Sequence, residues 1–187
     1  MRKLLEDILA AIFGQAGGGF GASVSVPLGS GYSTAEDTAE RVQRLLTLQE
    51  EAVSNSAWLR TPDGRTFCNR ALAFVAQGMG YFFPAAELAN DMIDHMAADP
   101  RWTEDSMERA HSHAMRGGVA VAALQDHPHG HVGTLAPLPM EESTTWVCAV
   151  PMIANVGEEN GIMRLSGAVK AADRYRLRFF LLALEDA

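Results

Sequence analysis

Apolar residues recur at three- and four-residue spacing through the first two thirds of the chain, then in short extended bursts through the last third. In the segment 34–58, Val42, Leu45, Leu46, Ala52 and Val53 fall on one helical face. Ser33 or Thr34 offers its N-cap, with Glu36 and Asp37 in the first turn, and Thr61-Pro62-Asp63-Gly64 stops it with turn chemistry. A second face starts at Cys68 and continues through Ala71, Leu72, Val75 and Met79, with Gly78 and Gly80 closing the helix. The spacing predicts a third helix over 85–97, ending before Asp99-Pro100, and a fourth over 103–115. Thr103 is the expected N-cap of the fourth and Gly117-Gly118 its terminator.

The pattern then changes to β-type runs at 119–124, 131–135, 144–156 and 175–182, separated by Pro, Gly and acidic loops. Helices followed by strands predict an α+β fold in which N-terminal helices pack on a C-terminal antiparallel sheet. Residues 33–187 form the expected domain. Residues 1–32 are read as a short N-terminal helix and a Gly-rich linker (Gly17 to Tyr32). The opening MRKLLEDILAAIFGQAGGG has the outline of a signal peptide. Glu6 and Asp7 interrupt it, however, and Ile8 to Phe13 is short for the apolar region of one. A route outward would have to be of another kind, and the location is left open.

Charge narrows the partners. Fifteen Lys and Arg against 23 Asp and Glu give −8, which disfavours a phosphate backbone, so no nucleic-acid partner is expected. The basic residues of Arg174-Tyr175-Arg176-Leu177-Arg178 alternate with apolar ones and read as the wet face of a strand. No run approaches the ~20 apolar residues of a membrane span. Two cysteines, Cys68 and Cys148, make at most one bridge and no disulfide scaffold.

Candidate chemistry centres on Cys68. A cysteine in the first turn of a helix faces unsatisfied N–H groups and the positive end of the helix dipole, which favour the thiolate. Such a position also leaves the side chain accessible, although a buried structural cysteine fits the same pattern. Cys148, inside Trp146-Val147-Cys148-Ala149-Val150, is read as core. A nucleophilic cysteine needs a base. His127, His129 and His131 lie close together in Asp126-His127-Pro128-His129-Gly130-His131, and His131 opens a strand that would hold its ring. Asn155, polar within an otherwise apolar run, is the group expected to orient that ring. Glu158, Glu159 and Asn160 are alternatives that resemble a solvated turn. His127, His129 and His131 also alternate, and with Asp126, His111 and His113 they form a rival metal set. Pro128 and Gly130 break the strand geometry it needs, and no HExxH or cysteine-pair spacing supports it. His95, His111 and His113 are expected on helices, half-buried or facing solvent.

Thr66-Phe67-Cys68-Asn69, Ala89-Asn90-Asp91-Met92, Gly118-Val119-Ala120-Val121-Ala122, Gly130-His131-Val132 and Ile153-Ala154-Asn155-Val156-Gly157 occur in an order that resembles papain-like cysteine hydrolases. More narrowly, the run is similar to the NlpC/P60 and CHAP group of cell-wall enzymes over roughly residues 60–182. The resemblance implies a papain-like fold and hydrolysis of amide bonds in peptidoglycan. Cys68 would be the nucleophile, His131 the general base and then acid, and Asn155 the orienting residue. Asn155 departs from the glutamine, glutamate or second histidine more usual at that position. The oxyanion donors would be the Cys68 N–H and a group of the preceding loop, with Asp63 and Thr66 nearest in sequence. No cofactor and no metal are implied. Acyl transfer by the same triad stays open. So does a catalytically silent domain that binds wall fragments or a partner such as an inhibitor or a delivery apparatus.

Overall fold

The computed structural model describes residues 35–55, 67–83 and 88–184. The expected N-terminal helix, the glycine-rich segment, the Ser33/Thr34 cap and the Thr61–Gly64 turn lie outside these residues, as do Asp63 and Thr66. Helix α1 spans Ala35–Ser54, α2 Cys68–Gly78 and α3 Ala89–Ala98. Strand β1 (Trp102–Asp105) and helix α4 (Met107–Ala114) precede β2 (Ala120–Leu124) and β3 (His131–Leu135). A hairpin of β4 (Glu141–Ser143) and β5 (Cys148–Val150) follows, then β6 (Met152–Asn155) and β7 (Gly161–Arg164). The single turn α5 (Leu165–Ala168) and a 3-10 turn (Ala171–Arg176) lead into β8 (Arg178–Leu182). The architecture is α+β, as the order of periodicities predicts.

Six strands form one antiparallel sheet in the order β1-β8-β2-β3-β6-β7. Its two faces are both covered, and the pleat divides them. Val121 and Ala123 of β2, with Phe180 and Leu182 of β8, pack against Leu45, Leu72, Val75, Ile93 and Met96 of α1 to α3. Ala120, Ala122 and Leu124, with Phe179, pack on the other side against Ala110 and Ala114 of α4, Trp146 and Leu165. Strand β2 is therefore buried at every position, and its sequence AVAAL has no polar alternation to show. Small side chains on both faces let helices approach the sheet closely from either side. One buried polar group crosses between layers. Gln49 of α1 is fully buried and its Nε2 donates to Thr134 Oγ1 at 3.0 Å and to the Leu135 carbonyl at 2.8 Å. This ties α1 to the middle of the sheet.

Several expected boundaries are corrected. The fourth helix begins at Met107, not 103, because 102–105 pairs with β8 from Trp102↔Leu182 to Asp105↔Phe179. Thr103 is thus a strand residue, and Ser106 is the N-cap, its Oγ accepting from the Arg109 N–H at 3.3 Å. The run 144–156 is not one strand. It breaks at a turn over 144–147, with Val147 at φ 56°, and again at Pro151, which has no N–H to give a ladder. Residues 171–176 wind into a 3-10 turn, so Arg174 and Arg176 are not strand residues. Arg174 donates to the Trp146 carbonyl, and Arg176 bridges Asp126 and Asp173. Strand β7 has no counterpart among the expected elements. Among the described residues no helix is long and apolar enough to cross a membrane.

Candidate active site

Helix α2 begins at Cys68 itself, with Phe67 as N-cap and no acidic residue in its first turn. No carboxylate therefore competes for the exposed N–H groups and the positive end of the dipole. Cys68 is 9% exposed, so it is recessed and not accessible as its helix-start position suggests. The apolar face of α2 behind it, Ala71, Leu72, Val75 and Ala76, is seated on the sheet and draws the first turn down with it. The thiol meets the His131 imidazole at the start of β3, and the N–H groups of Val132 and Asn69 also point at the sulfur.

The other imidazole nitrogen is fixed by Asn155 at the end of β6. His131 Nε2 lies 2.7 Å from Asn155 Oδ1. The orientation of that amide follows from its second contact, because Asn155 Nδ2 donates to the Glu159 carbonyl, which can only accept. Oδ1 must then face His131 and accept from Nε2–H, leaving Nδ1 for the sulfur. The turn that carries Glu159 is itself braced, with the Gly157 N–H donating to Asn160 Oδ1 at 2.9 Å. Gly157 has little room to change. A Cβ there would come within 3.3 Å of the His131 ring and 3.4 Å of the Asn155 amide.

On the other flank, Asn90 of α3 holds the loop that leads into β3. Its Nδ2 donates to the Asp126 carbonyl at 2.8 Å, and its Oδ1 sits where a Cβ on Gly130 would be, 2.1 Å away. Gly130 is therefore required by a close approach, one residue before the base.

The electrostatics favour an ion pair. Burial pushes the Cys68 thiol up, but the hydrogen bond and charge of His131, with the N–H groups of Val132 and Asn69, outweigh it. The thiol ends below its ordinary value. Burial likewise pushes His131 down, and the Cys68 sulfur and then Asn155 more than restore it, so the imidazole ends above its ordinary value. Both shifts run in the direction of moving a shared proton from the sulfur toward the imidazole. A thiolate beside an imidazolium can attack an electrophilic carbon and then protonate what leaves.

Beside the dyad, an open cavity of about 230 Å³ is lined by His131, Asn155, Gly157, Glu158, Glu159, Gly167 and Ala168. The sequence-predicted trio, Cys68, His131 and Asn155, is thus brought together from α2, β3 and β6. Glu158 and Glu159 are exposed and Asn160 is a turn brace, so none of them replaces Asn155 as the contact to the ring. Cys148 is not core but exposed: it opens β5 beside the 144–147 turn, and burial rises along the strand to Val150.

The rival metal residues are apart or otherwise engaged. His111 contacts the Leu138 carbonyl at 2.9 Å, Asp126 pairs with Arg176, and His127 and His129 are exposed loop residues. His113 is buried, where a half-buried or solvent-facing residue was expected, and burial pushes its pKa down. Among the described residues no group of three or more His, Cys, Asp or Glu is placed to hold a metal ion. Sequence reasoning also missed the Glu159 carbonyl and the bracing part of Asn90. A backbone acceptor leaves no mark in residue type. Asn90 stands beside Asp91 at the start of α3, and nothing in the residue types says which of the two braces the loop. Scans against family models and against curated proteins return no match to this chain.

Proposed function

We propose that this protein is a papain-like cysteine hydrolase of the NlpC/P60–CHAP kind that cleaves amide bonds in peptidoglycan. The observation that carries the reading is the Cys68–His131–Asn155 alignment, with His131 Nε2 held 2.7 Å from Asn155 Oδ1 and its other nitrogen turned to the thiol. Peptidoglycan as substrate is supported by the ordered motifs around Cys68, Gly130-His131-Val132 and Asn155 that resemble that group.

In the mechanism the Cys68 thiolate attacks the amide carbon, forming a C–S bond and a tetrahedral oxyanion. The Cys68 N–H, at a helix start with no intrahelical acceptor by position, is one donor to that oxyanion. The imidazolium gives its proton to the leaving nitrogen as the C–N bond breaks, and a neutral amine departs. Water then attacks the thioester while His131, now neutral, takes its proton. Release of the carboxylic acid regenerates the ion pair. Asn155 contributes by holding the ring in the tautomer and plane both transfers need.

Digestion of purified peptidoglycan with wild type and with Cys68→Ala, with fragments identified by mass, tests the reading. New amine and carboxyl ends with wild type and none with Cys68→Ala are expected, and the fragment masses name the bond. Intact wall after incubation with wild type would overturn it.

A further inference from the structure

Strand β3 is held unevenly along its length. On the β2 side its ladder runs from Val121↔Thr134 to Leu124↔His131, so the base sits in the last pair. On the β6 side the ladder covers Thr134↔Ala154 and Leu135↔Ile153 and stops short of His131. The end of β3 that carries the imidazole is therefore laddered to one neighbour alone, and such an end opens more readily than the middle of a strand. The loop 125–130 joins the two members of that last pair, and any freedom in it passes straight to His131.

Helix α3 closes this loop at its neck. The Asn90 amide faces both backbone groups of Asp126: Nδ2 donates to the carbonyl at 2.8 Å, and Oδ1 accepts from the N–H at 3.4 Å. The same amide lies over Gly130. A Cβ there would come within 2.1 Å of Asn90 Oδ1, 3.1 Å of Asn90 Cγ and 2.9 Å of the Leu124 carbonyl. One side chain thus bears on both sides of the neck, at Asp126 just beyond Leu124 and at Gly130 just before His131. The loop has other ties, from Gln125 to Asp94 at 3.2 Å and from Arg176 to the Gln125 carbonyl and the Asp126 carboxylate. Those bonds end at Gln125 and Asp126 and do not reach Gly130.

We infer that Asn90 is the positioning residue of the base: from α3, through the neck of the loop, it sets how closely the imidazole meets the Cys68 sulfur and so how fast that sulfur reacts below neutral pH. Alkylation of the full chain, read by peptide mass with exposed Cys148 as internal reference, tests this. Asn90→Ala is expected to slow iodoacetamide labelling of Cys68 at pH 6 about threefold to tenfold, the scale of one lost hydrogen bond. The difference is expected to vanish near pH 10, where a thiol ionises without help from an imidazolium. A change in access alone would slow labelling equally at both pH values. Asn90→Ser, whose hydroxyl stops a bond short of the amide, gives the same pair of measurements should the alanine form fail to fold. Arg176→Ala, which cuts only exposed ties that do not reach Gly130, is expected to stay within twofold of wild type. Asn90 variants within twofold of wild type at pH 6, equal slowing at both pH values, or equal slowing by Arg176→Ala would overturn the inference. The role rests on the Cys68–His131 pair of the hydrolase reading, but alkylation needs no substrate. If wild type leaves the wall intact, the hydrolase reading falls, and the part given to Asn90 stands or falls by the labelling alone.

Discussion

Replacing Asn155 with alanine separates an oriented catalytic ring from a merely adjacent one. The change deletes the acceptor 2.7 Å from His131 Nε2 and the donor to the Glu159 carbonyl. A hydrogen bond to a charged partner is worth about 1.5–3 kcal/mol. If that bond holds the imidazolium in its working geometry, its loss lowers kcat/KM by about tenfold to a hundredfold. The pH profile carries the more specific sign. Asn155 is one of the groups that raise His131, so without it the ring loses its proton at lower pH and the alkaline limb moves toward acid. A weaker imidazolium holds the Cys68 thiolate less well, so the acid limb moves up. The bell narrows from both sides. The assay is amine release from purified peptidoglycan across pH 5 to 9, with urea unfolding as a control for stability. A variant within twofold of wild type, or one with reduced rate and an unchanged bell, would refute the orienting role of Asn155.

Three further outcomes follow from the same structure. Iodoacetamide at pH 6 is expected to label recessed Cys68 ahead of exposed Cys148, because the thiolate is the reacting species and His131 holds Cys68 in that form. Labelling in order of exposure, read by peptide mass, would contradict this. Gln49→Ala is expected to cost about 2–3 kcal/mol in urea unfolding, since it empties a fully buried site and leaves Thr134 and the Leu135 carbonyl without their donor. A loss under 0.5 kcal/mol on the order expected for surface changes would count against that tie. Asp99 is held well below the usual carboxylate range by Arg101 and by the Tyr81 hydroxyl. A depressed folded-state pKa stabilises above the unfolded value and the gain fades as pH falls, so Asp99→Asn should destabilise by about 1 kcal/mol near pH 7. The gap between the two proteins should shrink below about pH 4. A gap that grows on acidification would show the sign to be wrong.

How far the sequence could be followed depended on the range of the cause. Helices α1 to α3 are recoverable because their apolar spacing is local, and Cys68, His131 and Asn155 are recoverable because each sits at an element boundary where a polar or reactive side chain is conspicuous. Strand β1 was hidden because Trp102–Asp105 is set by pairing with β8, some 75 residues later, against a helical reading of the same residues. Cys148 went wrong for a related reason. Its run Trp146–Val150 is as apolar as a core strand, but it forms a short two-stranded hairpin whose turn end, Val147 and Cys148, is exposed while Val150 is buried. The burial of Cys68 and the backbone acceptor at Glu159 depend on neighbours that sequence does not name.

The joining of α2 to the mouth of β3 has a consequence for the life of the chain. Cys68 and His131 are 63 residues apart in sequence, and the largest of the causes that lower the Cys68 thiol lie in His131 and in Val132 beside it. A newly made, threaded or partly unravelled chain therefore carries an ordinary thiol, with a pKa near 9.0. On the proposed hydrolase reading, attack by the sulfur awaits the closing of helix on sheet and is lost in any opening that parts them. Preferential labelling of Cys68 is then a direct gauge of how many molecules in a sample have closed.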